Sequence, residues 1–170
     1  YAKGKQDEEK ERAIFNISIL IHLVLAILFG IIVEIAGNLF ILGNLNIPSD
    51  AISVAFFVFH CTVVTTMIAI VSIPFDAVVI ANERFKFFAW LTLIDAILKL
   101  LIVYLIAVLP YEHLHSYAIL LLIVGLINIT ANVAYCGKFK ECKFCFIFNA
   151  ALFKKLVSFS AWNFLGNTAF

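Results

Sequence analysis

Lysine and arginine are missing from two of the connections that join the apolar runs of this 170-residue chain, residues 43–50 and 110–115. Charge is scarce throughout, with 12 basic and 11 acidic residues against a hydrophobic fraction of 64%. The mean hydropathy of +1.08 lies far above that of an ordinary soluble domain. It argues against a soluble α-bundle, whose buried helices are usually shorter and keep a polar face. None of the seven glycines forms a phosphate-binding loop, no paired histidines make a metal motif on a helix, and no acid–base constellation converges. The sequence therefore carries no signature of an enzyme. A cleavable signal peptide is also missing, because the first residues are charged and no small-residue cleavage site follows a short apolar core. The chain starts at Tyr1 and stops within an apolar run, as expected of a piece of a longer protein.

Where basic residues do occur, they alternate. Residues 1–12 hold Lys3, Lys5, Lys10 and Arg12; residues 82–86 hold Arg84 and Lys86; residues 137–155 hold Lys138, Lys140, Lys143, Lys154 and Lys155. Eleven of the twelve basic residues thus fall in every second connection, and the twelfth, Lys99, lies inside an apolar run. Such alternation is the positive-inside pattern of a multi-pass protein, with the basic connections in the cytoplasm and 43–50 and 110–115 outside. The net charge of +1 says nothing about partners, since the membrane partitions the charges.

The runs 13–42, 51–81, 87–109 and 116–136 each reach the ~20 residues needed to cross the hydrocarbon core. A fifth run, 156–170, is cut off after fifteen residues. The expected fold class is all-α, a polytopic membrane helix bundle. Gly43, Asn44, Asn46 and Pro48 mark the first outer turn, and Pro110 opens the second. In 137–155, Phe139, Phe144, Phe146, Ile147 and Phe148 among the lysines suggest either a helix lying at the interface or a solvated loop.

Polar residues inside the spans are the informative ones. Thr92, Asp95 and Lys99 share one face of the third span, with Lys99 next to its midpoint. A charge there costs about 2.5–3.5 kcal/mol on insertion scales, so two unpaired charges would nearly cancel what the apolar residues of the span contribute. Asp95 and Lys99, four residues apart, can neutralise each other, and the pair is expected to line a polar cavity. Thr62, Thr65, Thr66, Ala69 and Asp76 share a sector of the second span, where Pro74 removes a backbone donor just before Asp76. Gly125, Asn128 and Asn132 share a face of the fourth. On the first, Ser18, His22, Ala26, Gly30, Glu34 and Asn38 form a ridge whose small residues allow close helix approach. Ser, Thr and Asn in such helices commonly bond locally, and a lone His22 or His60 is commonly a packed histidine.

Other motifs carry less. Cys142-x-x-Cys145 has thiolate spacing without a second pair, Cys61 and Cys136 lie in spans, and all read as ordinary packing or unpaired thiols. Asn16-Ile-Ser18 and Asn128-Ile-Thr130 match the glycosylation pattern but fall within the spans. His113 and His115, beside Glu112, read as solvated residues of the outer turn. No metal or cofactor is expected.

The stretch Ser72-Ile-Pro-Phe-Asp-Ala-Val-Val-Ile-Ala-Asn-Glu-Arg-Phe-Lys-Phe-Phe-Ala-Trp90, followed by the apolar run from Ile97 to Tyr104, resembles bacterial polysaccharide flippases. These belong to the multidrug, oligosaccharidyl-lipid and polysaccharide exporter superfamily. Phe139-Lys-Glu-Cys-Lys143 and Leu152-Phe-Lys-Lys-Leu-Val-Ser-Phe-Ser-Ala-Trp-Asn-Phe-Leu-Gly-Asn167 are similar to the family's connection between its two halves. Gly4-Lys-Gln-Asp-Glu-Glu-Lys10 looks like the inner loop before a third helix. The resemblance spans essentially the whole chain and rests on diffuse patterns. It implies two helix bundles around a central cavity. Residues 1–155 would belong to the N-terminal bundle, with 137–155 as the inner connection and 156–170 as the truncated first helix of the second. The implied activity is movement of a polyprenyl-diphosphate-linked oligosaccharide across the bacterial inner membrane for surface polysaccharide assembly. Implied partners are that lipid, the surrounding lipids and other polysaccharide assembly proteins, and no nucleic acid. Within this implied site, Lys99 is the candidate for the diphosphate or acidic sugars. Asp95, Thr62, Thr65, Thr66, Asn128 and Asn132 would line the cavity.

Two other classes compete. A multidrug exporter of the same superfamily would use a more apolar cavity and a proton- or sodium-linked carboxylate, for which Glu34, Asp76 or Asp95 could serve. A membrane-embedded transferase would need the convergent constellation that is missing.

Overall fold

Length and apolarity build four helices. The computed structural model describes residues 8–44, 48, 51–108 and 113–143, together with 153, 154 and 158. Among them run α1 (Glu8–Asn44), α2 (Ile52–Ala81), α3 (Phe85–Val108) and α4 (His113–Cys136), with a 3-10 turn at Lys140–Cys142. Each helix is long and apolar enough to cross a membrane. Even the 24 residues of α3 extend about 36 Å, against ~30 Å of hydrocarbon. The chain is a multi-pass, all-helical membrane protein.

Helical structure extends beyond the apolar runs at several places. α1 is already helical at Glu8, ahead of the apolar run that begins at residue 13, and Glu8, Glu9 and Glu11 in that turn suit the positive end of the helix dipole. α3 starts at Phe85 rather than 87. α4 is already helical at His113, ahead of residue 116, so His113 and His115 are helical and not part of a turn. His115 is half-buried, its ring tilted against Phe57 with centroids 4.7 Å apart. Pro74 is buried within α2, which continues through it.

Between α2 and α3 the chain reverses in three residues. Glu83 takes φ 55°, the left-handed conformation. Arg84 N–H donates to Val79 O at 3.1 Å and Glu83 N–H to Ile80 O at 2.9 Å. This is a Schellman closure with glutamate where glycine is usual.

The chain divides into two compact units. One comprises Tyr1–Ile21 and Gly137–Phe170. In it, Arg12 Nε donates to Lys140 O at 3.0 Å, Asn16 Nδ2 to Lys143 O at 3.4 Å, and Lys140 Nζ meets Glu8 Oε1 at 3.1 Å. The aromatic stretch 144–148, the second half of Cys142-x-x-Cys145 and most of the truncated helix 156–170 lie outside the described residues.

The other unit is His22–Cys136. Within it α4 packs most extensively on α2 and next on α3. The interior is built of small and medium side chains, among them Ala26, Val63, Val79, Ala118 and Val124. Large apolar side chains face outward, with Leu42 and Leu100 each 72% exposed. In water that arrangement would be unfavourable; in a bilayer lipid covers those side chains, and helices associate through small residues and interhelical polar bonds. At Gly30 an added Cβ would come within 2.7 Å of Met67 Sδ, and at Gly37 it would overlap the ring of Phe59. These two glycines let α1 approach α2.

Candidate functional site

Three helices of this second unit enclose a polar cleft of about 470 Å³. α2 contributes Thr65, Ser72 and Asp76, α3 contributes Thr92, Asp95 and Lys99, and α4 contributes Asn128 and Asn132. Ile68, Ala69, Phe88, Leu91, Leu121 and Gly125 complete the wall. The volume falls in the range of ~300–1,000 Å³ typical of small-molecule sites.

Helical spacing places these groups in register. Asp95 and Lys99 are one turn apart on α3, and Lys99 Nζ lies 2.7 Å from Asp95 Oδ2. The other oxygen, Asp95 Oδ1, accepts from Asn128 Nδ2 of α4 at 2.6 Å. One turn further along α4, Asn132 Nδ2 donates to Asp76 Oδ1 of α2 at 2.9 Å. α4 therefore carries two amides that reach two carboxylates on two different helices. Phe87 and Tyr135 stack near these ends of α3 and α4, with ring centroids 3.6 Å apart and planes 4° from parallel. Cys136 Sγ donates to Phe75 O at 3.5 Å. An interhelical hydrogen bond in lipid contributes about 0.6 kcal/mol on average, so the two Asp–Asn bonds do little to hold the bundle. Their larger effect is to orient the amides and carboxylates.

The hydroxyls along the cleft are turned onto their own helices. Thr65 Oγ1 donates to Cys61 O at 2.8 Å, Ser72 Oγ to Ile68 O at 3.0 Å and Thr92 Oγ1 to Phe88 O at 2.9 Å. The i−4 carbonyl takes the hydroxyl proton in each case.

Of the residues named from the sequence, Lys99, Asp95, Thr65, Asn128 and Asn132 come together on the cleft, and so does Asp76. Thr62 and Thr66 do not line it. Thr62 Oγ1 bonds to Val58 O at 2.8 Å and Thr66 Oγ1 to Thr62 O at 2.9 Å. The sector drawn across α2 is narrower than the spacing suggests, because only the edge holding Thr65, Ala69, Ser72 and Asp76 turns to α3 and α4. Ser72 joins the candidates, since its position four residues before Asp76 puts it on that edge.

Glu34 is elsewhere. Its Oε1 lies 2.9 Å from His60 Nδ1 of α2, and Asn38 Nδ2 donates to its Oε2 at 3.2 Å. His60 is thus an interhelical partner rather than a solitary packed histidine, with Phe56 and Phe59 against its ring. Among the described residues no group of three or more His, Cys, Asp and Glu side chains could hold a metal ion.

No protein-family model, no curated protein and no solved structure matches this chain.

Proposed function

We propose that this chain is part of a bacterial inner-membrane exporter that moves a polyprenyl-diphosphate-linked oligosaccharide toward the outer leaflet for surface polysaccharide assembly. The observation that supports it best is the polar cleft among α2, α3 and α4, where two carboxylates, an ammonium and two amides meet inside apolar helices. Ionisable groups within spans cost insertion energy, and their use in substrate or ion pathways is the default functional reading. A lipid-linked sugar must carry a large polar headgroup across ~30 Å of hydrocarbon while its tail stays in lipid. A polar wall would offer the headgroup hydrogen bonds in place of water. The resemblance of residues 72–90 and 139–167 to polysaccharide flippases points the same way. In this reading the protein is a transporter rather than an enzyme, and its partners are the lipid-linked sugar, membrane lipids and other assembly proteins.

Expression of the intact protein in a host lacking its own polysaccharide flippase tests the proposal. Surface polysaccharide should return, and it should fail to return with Asp76→Leu at equal membrane abundance. A second reading, a cation exporter of the same superfamily, is favoured by the two carboxylates, Asp76 and Asp95, on one cleft. Efflux of cationic dyes without restored polysaccharide would select it.

A further inference from the structure

The cleft has an uneven hydrogen-bond inventory. Asn128 Oδ1 and Asn132 Oδ1 are buried and accept no hydrogen bond among the described residues. Asn132 as a whole is only 4% exposed, yet it lines the cleft. Both amides have their NH2 groups committed to carboxylates, Asn128 to Asp95 and Asn132 to Asp76, so each oxygen is fixed as an acceptor. An unsatisfied buried acceptor is costly, and a ligand able to donate would recover that cost.

The remaining polar atoms reinforce the bias. The hydroxyl protons of Thr65, Ser72 and Thr92 go to backbone carbonyls, leaving oxygen lone pairs on the cleft side. Lys99 is the one basic side chain on the wall among the described residues, and its ammonium is already against Asp95. Asp95 neutralises Lys99, so the lining carries no net positive charge to attract an anion. A phosphate, an anion rich in acceptors, would meet further acceptors here rather than donors. A ligand rich in donors and without negative charge would be received.

We infer that the cleft binds an uncharged polyol, held by hydrogen bonds donated to the two amide oxygens of α4. These oxygens belong to residues one turn apart, about 5–6 Å along the helix, a span comparable to the width of a pyranose ring. Phe88 and Leu91 supply an apolar face for the C–H side of such a ring. This deepens the flippase reading and rests on it only for naming the polyol as a sugar. The sugar occupies the cleft, and the diphosphate lies outside it rather than at Lys99, whose ammonium is already held by Asp95.

The test uses the intact protein in phosphatidylcholine nanodiscs, with saturable binding of three probes sharing one alkyl chain: dodecyl maltoside, dodecyl phosphate and dodecyltrimethylammonium. The maltoside should bind at least about tenfold more tightly than either other probe, a difference of about 1.4 kcal/mol. Asn132→Leu should remove most of that preference. Thr65→Val, which leaves both Asp–Asn bonds intact, should weaken maltoside binding severalfold and serves if the first variant does not fold. Phosphate binding as tightly as maltoside overturns the inference, as does equal binding of the ammonium probe, no saturable maltoside binding, or a folded variant that binds maltoside like the parent. Failure to restore polysaccharide, with maltoside selectivity intact, removes the flippase reading and leaves the polyol site standing. Restored polysaccharide with phosphate-selective binding does the reverse.

Discussion

Asp95 is held from two helices at once: Asn128 of α4 donates to Oδ1 at 2.6 Å while Lys99 of α3 meets Oδ2 at 2.7 Å. The carboxylate is the shared member of both contacts, so the three residues are not interchangeable. Removing Asp95 strands an ammonium inside a span and frees an amide, whereas removing Lys99 leaves the carboxylate with one donor.

That asymmetry predicts a graded double-mutant cycle. Asp95→Ala should lower the yield of folded protein more than Lys99→Ala, and the double variant should recover part of the loss. A coupling energy of about 1–3 kcal/mol is expected for residues in direct contact. Thermal melting of the purified variants in nanodiscs measures it, and purely additive losses would show that the two charges do not interact.

Glycine spacing along α1 should show sharply different tolerances. Gly37→Ala would drive its Cβ into the ring of Phe59, whose rigid plane cannot bend away, and should destabilise by about 1–3 kcal/mol. Gly30→Ala meets only the thioether end of Met67, which can rotate, and should cost less. Gly43 has open space around it, so Gly43→Ala should be near neutral. Comparing the three melting temperatures checks the order.

At the α2–α3 reversal, Glu83 holds a left-handed conformation that costs a side-chain-bearing residue about 1–2 kcal/mol. Glu83→Gly should therefore raise stability by about 1 kcal/mol, somewhat less than the strain removed because glycine loses more entropy on folding. An unchanged or lower melting temperature would mean that the Glu83 side chain contributes an offsetting interaction.

The distribution of basic residues predicts topology. In a background lacking native cysteines, an impermeant thiol reagent applied to whole cells should modify cysteine placed at Asn46 or Glu112 and spare one at Lys140. Labelling at Lys140 alone would reverse the orientation.

Sequence by itself determined that the chain is helical, where its spans lie and which polar residues share a helix face. Crossing lipid requires a fixed length of apolar residues with every backbone group satisfied inside the helix, and both demands are local. The contact of Asp95 with Lys99 was legible for the same reason, since i and i+4 meet on any helix. Only the tertiary structure decided which faces meet. Asn128 could have turned toward lipid or another helix, and Thr62 and Thr65, three residues apart, looked equivalent on α2. The rotation of each helix about its axis depends on how Gly125 approaches Thr65, where Cys136 meets Phe75 and how Phe87 stacks on Tyr135. Such contacts join residues tens of positions apart, and no periodicity within one helix encodes them. The same rotation sent Glu34 to His60 and away from the cleft, and it left the two α4 amide oxygens facing inward without a donor among the described residues.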